Sequence, residues 1–240
     1  MDGTMKGREG QYAALLAQGK GMLERVDAFH FNSTVSRDTY CGYLGTEPRS
    51  AVIPVTHAAI RDRRVRRTFP SDRPLRLGFV GSAAPYKGLP MLLEQLEQLP
   101  PQWELTVYGL SSLPKPQAGV RAGGRFRASD LERVYGEMDL LVVPSLCRET
   151  FSLTALEALS FGTPVLVTDT VGARDLIARV DPTFVCPTPE ALRKKLERLL
   201  EDRTPLAAFN EKWCSLPWEW DLAAHLDRMD RLYEEIVKAR

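Results

Sequence analysis

Apolar runs at residues 75–80, 103–108, 140–143 and 165–168 alternate with segments of helical pattern, and this alternation constrains the fold more than any other feature. Leu140-Leu-Val-Val143 and Val165-Leu-Val-Thr168 are almost wholly apolar, as strands are when helices cover both faces of their sheet. Strands that alternate with helices build a parallel, doubly wound sheet. The expected fold class is therefore α/β, with a doubly wound parallel sheet from residue 75 onward.

The helices between these strands are expected at 89–99, from Ser129 to Gly136, after Phe151, and from Gly172 through Ile177. Ser129 reads as an N-cap with Glu132 at the capping-box position. Residues 111–124 are rich in Pro, Gly and Ser and read as a loop, with a short strand within 120–126. A short strand at 182–186, an amphipathic helix at 189–200 and a final helix at about 220–238 complete the pattern. At the amino end, 12–25 reads as a helix weakened by Gly19 and Gly21, and 28–32 as a short strand. A second helix starts at Ser33 or Ser36 and ends near Gly45, and 50–55 is a strand. The basic stretch 61–67, closed by Pro70, Asp72 and Pro74, reads as a linker, and the domain boundary falls at 60–74.

Composition narrows the function. A formal net charge of +1 gives no global pull toward nucleic acid, so no nucleic-acid partner is expected. The 4 cysteines lie far apart and, with only 3 histidines, a zinc site is not expected. A reducing, cytoplasmic setting fits. No apolar run has the length of a membrane span, and residues 1–10 lack the apolar core of a signal peptide. The arginines of 61–67 permit peripheral contact with an anionic membrane face, but a solvated linker is preferred.

Two loops carry the chemistry. Gly81-Ser-Ala-Ala-Pro-Tyr-Lys87 joins a strand to a helix, with Gly81 free to turn tightly and Lys87 just before the helix start. A lysine beside free helix N–H groups suits a diphosphate. The second unit places Glu149 in the loop after the 140–143 strand and Glu157 on the following helix, where ligands of open α/β sheets bind. Two carboxylates there can accept hydrogen bonds from vicinal hydroxyls of a sugar or ribose. Ser152 is a candidate cap for that helix.

Glu149-x7-Glu157, followed by Ala158-Leu-Ser-Phe-Gly-Thr-Pro-Val165, resembles the donor-site signature of family 4 glycosyltransferases. The Gly81 to Gly88 loop, the Val107-Tyr-Gly109 strand end and the 130–145 block are similar to the same family in order and spacing. The resemblance is strongest over 75–175. It implies a retaining enzyme of the GT-B fold, built from two Rossmann-like domains with the active site between them. It implies a nucleoside diphosphate sugar as donor substrate, with no metal and no cofactor. By the same resemblance, Lys87 would neutralise the diphosphate and Glu149 would bind and orient the donor sugar; these are the catalytic candidates. Glu157 would bind the ribose, and the amides of Phe151, Ser152 and Leu153 would contact sugar and phosphate. Gly81 and Ser82 would border the diphosphate, and Tyr108, Phe126 and Arg127 would flank the nucleoside.

The chain departs from the family pattern in three places. Ser82 stands where an arginine is common, so Arg148 or Arg174 is a candidate replacement. Ser152 stands where glycine is common. Only 1–60 corresponds to the first domain, as a remnant; 61–74 would be the linker, 75–217 the donor domain, and 218–240 a helix crossing back. A separate N-terminal acceptor domain or partner subunit is therefore expected, with poor transfer by this chain alone. His57 reads as a packed or loop histidine, and Trp213, Trp218 and Trp220 as packing for the last helix. The rival readings are a non-catalytic sugar-nucleotide-binding subunit and a sugar-nucleotide epimerase of the same fold.

Overall fold

A computed structural model describes residues 9–113 and 117–239. Residues 1–8, within the expected N-terminal remnant, and 114–116, within the Pro-rich loop, lie outside the described residues. The larger unit is a six-stranded parallel sheet in the order β5-β4-β3-β6-β7-β8. Its strands are β3 (Leu75–Val80), β4 (Trp103–Tyr108), β5 (Val120–Gly124), β6 (Leu140–Val143), β7 (Val165–Thr168) and β8 (Val185–Cys186). The strand order reverses between β3 and β6, and a crevice opens there beyond the carboxyl ends of the strands.

Helices α3 (Leu89–Glu97), α4 (Leu131–Gly136), α5 (Leu153–Ser160), α6 (Arg174–Val180), α7 (Pro189–Glu201) and α8 (Thr204–Ser215) flank this sheet. α7 shows why such segments become helices. Leu192, Leu196 and Leu199 share one buried stripe, and the Thr188 hydroxyl caps the start by accepting the Ala191 N–H at 3.1 Å. A smaller N-terminal unit holds α1 (Glu9–Leu23), β1 (Phe29–Phe31), α2 (Thr34–Leu44) and β2 (Ser50–Val52), with β1 and β2 paired in parallel. The last helix, α9 (Leu222–Lys238), lies against that unit. His225 Nδ1 is 2.9 Å from Pro54 O, and Arg49 donates to Glu235 O at 3.1 Å.

Several local expectations are corrected. Ser129 does not cap α4; it lies inside a 3-10 turn at Ala128–Asp130, closed by Asp130 accepting the Arg127 N–H at 2.8 Å. The 182–186 segment is a 3-10 turn, Pro182–Phe184, followed by a two-residue strand. The 50–55 strand stops at Val52, short of Pro54, which has no N–H to offer a ladder. Helix α8 was not anticipated, although Leu206, Phe209 and Trp213 sit at helical spacing and all are buried.

The basic stretch 61–67 is not a loose linker. Arg64 donates to Trp213 O at 2.5 Å and to Leu216 O at 3.0 Å, and its guanidinium lies over the rings of Trp213 and Trp218. Arg67 donates to Thr163 Oγ1 and to the carbonyls of Tyr135, Gly136 and Met138 at 2.6–3.2 Å. The stretch is thus a strap fixed to the larger unit. The tryptophans pack as expected, with Trp213 and Trp220 stacked at 4.6 Å.

Candidate functional site

The loop after β3 and the loop after β6 meet over the crevice. Pro85–Lys87 forms a 3-10 turn, and Gly88 (φ 78°) turns the chain into α3. A Cβ at Gly88 would stand 1.8 Å from Pro144 O, so only glycine allows the approach. The Leu146 N–H donates to Tyr86 O at 2.8 Å and locks the loops together. Lys87 is thereby carried to Glu149, with Nζ 2.7 Å from Oε1.

Glu149 is held from the other side as well. Its N–H donates to Thr170 O at 3.0 Å, in a bridge between Glu149 and Val171. The buried Ser145 hydroxyl donates to the same Oε1 that Lys87 contacts. Thr168 and Thr170 hydroxyls both donate to Ser145 O at 2.6 Å. Glu149 is 10% exposed and Lys87 35% exposed. Both protein bonds end on Oε1, so Oε2 keeps its acceptor capacity for a ligand hydroxyl.

A cavity of about 170 Å³ is lined by Gly81, Lys87, Val143, Ser145, Glu149, Ser152, Leu153 and Thr154, among others. α5 opens on this cavity, and the first N–H groups of a helix have no partner within it. Phe151 is buried behind the opening, its carbonyl accepting the Ala173 N–H at 2.6 Å. Ser152 occupies the N-cap position but makes no side-chain cap; its hydroxyl pairs with Thr154 Oγ1 at 3.2 Å. Its φ is 96°, the only positive value at a non-glycine among the described residues. That conformation is costly for a residue with a Cβ and easy for glycine.

The remaining expected site residues lie elsewhere. Ser82 is exposed in the β3–α3 loop. Tyr108 is 2% exposed, its ring packed edge-on against Phe126 at 5.8 Å and its hydroxyl donating to Glu137 at 3.0 Å. It supports Phe126 from beneath and has no free face to offer a ring. Burial and Glu137 push its phenol above the ordinary range. Arg127 is exposed beside Phe126. Arg148 and Arg174 line a neighbouring cavity of about 290 Å³ with Val35, Asp38, Asp169 and Thr170, facing α2 and apart from Lys87.

Glu157 lies one helical turn below Leu153 with both carboxylate oxygens engaged. Oε1 is 3.0 Å from His57 Nε2, and Oε2 accepts the Tyr135 hydroxyl at 2.5 Å. Ser145, Tyr135 and His57 were not singled out as site residues in the sequence. Ser145 and Tyr135 stood in the matched 130–145 block, but nothing in the pattern distinguished them from packing. No group of three or more His, Cys, Asp or Glu that could hold a metal occurs among the described residues.

The family profile of glycosyl transferases group 1 matches residues 74–202. A GDP-mannose-dependent alpha-mannosyltransferase of Mycolicibacterium smegmatis is 35% identical over 122 residues, which are 49% of this chain and 32% of that relative. An uncharacterized glycosyltransferase of Methanocaldococcus jannaschii is 34% identical over 92 residues, which are 36% of this chain and 23% of that relative. Among solved structures, the sucrose-phosphate synthase of Thermosynechococcus elongatus superposes with a TM-score of 0.70 at 23% identity. That match covers 100% of this chain and 65% of that one. HepE of Anabaena, in complex with UDP-glucose, superposes with a TM-score of 0.72 at 18% identity, covering 92% of this chain and 67% of that one. These structures establish the fold as GT-B. With the profile spanning more than half of its 240 residues, the chain belongs to the glycosyl transferases group 1 family.

Proposed function

We propose that this chain is the donor-binding half of a retaining, family 4 type glycosyltransferase that moves a hexose from a nucleoside diphosphate sugar to an acceptor hydroxyl. The observation that carries this reading is the Lys87–Glu149 pair at the strand-order reversal, beside the opening of α5. Lys87 and the α5 amides neutralise the diphosphate, and Glu149 Oε2 receives hydroxyls of the sugar. Glu157 serves the ribose, and Phe126 and Arg127 flank the base, with Tyr108 as the floor under Phe126. In the retaining step, the bond from C1 to the diphosphate oxygen breaks and C1 bonds to the acceptor oxygen on the same face. The departing diphosphate oxygen takes the acceptor proton, and Lys87 stabilises the charge that develops. The group 1 match favours transfer over epimerisation. The mannosyltransferase relative makes GDP-mannose the first donor to test, and UDP-glucose, bound by HepE, the second.

Transfer is proposed for the chain together with further acceptor-side structure. The N-terminal unit presents Met22 (67% exposed), Tyr40 and Tyr43 around an apolar groove, which suits closure by more of a first domain or by a partner subunit. Calorimetric titration of GDP-mannose against GDP, and UDP-glucose against UDP, tests the sugar role of Glu149. The expected result is tighter binding of one sugar nucleotide than of its bare diphosphate, with the difference lost in Glu149→Ala. Equal binding of sugar nucleotide and diphosphate by the wild type contradicts the reading.

A further inference from the structure

Glu157 is gripped from two directions. Tyr135, fully buried on α4 and stacked on Phe161, donates its hydroxyl to Oε2 at 2.5 Å. Burial and the Glu157 charge push this phenol well above its ordinary value, so it stays a donor. His57 approaches from the segment that connects the two units. Its Nδ1 accepts the Ala59 N–H at 3.2 Å, so in the neutral ring the proton sits on Nε2 and points at Oε1, 3.0 Å away. Each carboxylate oxygen thus has one protein donor and one acceptor site left over. The Glu157 side chain is 14% exposed, so it is not sealed from solvent. A glutamate with free torsions would lose rotamer freedom on meeting a ligand; this one is already ordered.

We propose that His57 and Tyr135 are positioning residues for the nucleotide site, holding the Glu157 carboxylate in the orientation that receives the vicinal ribose hydroxyls. The inference rests on the donor-site reading given above. It gives the interdomain segment a direct part in donor recognition, because His57 belongs to that segment and not to the donor sheet. It also assigns a role to a histidine that the sequence presents as a packed or loop residue.

The test is the preference for a ribonucleotide over its 2′-deoxy counterpart, measured by calorimetry on the full chain with GDP and 2′-deoxy-GDP, and with UDP and 2′-deoxy-UDP. A hydrogen bond to a charged group corresponds to about tenfold in affinity or more. Wild type is expected to prefer the ribose form of one pair by about that factor, and Glu157→Ala to bind both forms alike. Tyr135→Phe, which keeps the ring packing, and His57→Ala are each expected to lose most of the preference. His57→Gln, which keeps an N–H donor, is expected to regain part of it. A purely structural role for either residue would lower the melting temperature and leave the ratio alone. A preference abolished by Glu157→Ala yet intact in Tyr135→Phe and His57→Ala overturns the inference and leaves the ribose reading standing. A preference that survives Glu157→Ala, or is absent from the wild type, removes the ribose reading and the inference with it.

Discussion

Ser152 holds a backbone conformation that suits glycine, at the mouth of the cavity that Lys87 and Glu149 line. A residue in such a sparsely populated region costs about 1–3 kcal/mol. Ser152→Gly is therefore expected to raise unfolding stability by about 1 kcal/mol, allowing for the greater freedom of glycine in the unfolded chain, as read by urea titration. No change, or a loss, would show that the serine is not strained. Gly88 has the opposite balance, because a side chain there has no space against Pro144. Gly88→Ala is expected to cost about 3 kcal/mol, from overpacking and the positive φ together. It should also weaken nucleotide binding by displacing Lys87; a normal melting temperature would contradict this. The loop positions of Glu149 and Lys87 were legible in the sequence from spacing and loop context, and the glycine-like position at 152 from the family resemblance. The hold of Ser145 on Glu149 was not, since nothing in a single serine marks the carboxylate it will reach.

At the scale of elements, the central strands β3, β4, β6 and β7 were legible because apolar runs have few other uses in a chain of this length. Helix α8 was not, because Pro205, paired alanines and a buried Asn210 blur its stripe. Asn210 is buried for a tertiary reason: its amide donates to Val65 O at 3.0 Å and Gly162 O at 2.7 Å, tying α8 to the strap. The strap at 61–67 reads as a charged linker by composition, yet Arg67 satisfies the carbonyls at the end of α4. Arg67→Ala would leave those carbonyls short of donors, with an expected loss of about 2–3 kcal/mol in chemical denaturation. Arg66→Ala, whose partner Glu211 is exposed, is the control and is expected to change stability by less than about 1 kcal/mol. Equal effects from the two would mean that the strap is not fixed as described.

At the scale of the whole molecule, the buried Asp139 makes stability acid-sensitive. Asp139 is 1% exposed at the start of β6, paired with Arg73 at 2.6 Å and Arg76 at 3.0 Å. Burial pushes its carboxyl up, but the bonds from Arg73 and Arg76 outweigh this and hold it at about 2. Its pKa is depressed in the folded state, so its contribution is complete above the unfolded value near 4 and is lost as pH falls through about 2. The expected loss is about 2 kcal/mol over that window. It should be absent in Asp139→Asn, which is less stable at neutral pH. The proposed donor site also draws on distant segments, from Lys87 on one loop to the segment between β2 and β3 that bears His57. The most direct test of the proposed donor site is a thermal-shift panel with UDP, GDP, ADP, TDP and their sugars on the wild type and Lys87→Ala. Ligand at ~100 times its dissociation constant adds ~2.7 kcal/mol. That is a rise of several degrees at ~2–4 °C per kcal/mol. The account predicts such a rise for one nucleotide and its sugar, and its loss in Lys87→Ala. No rise with any nucleotide, or one that Lys87→Ala retains in full, would contradict it.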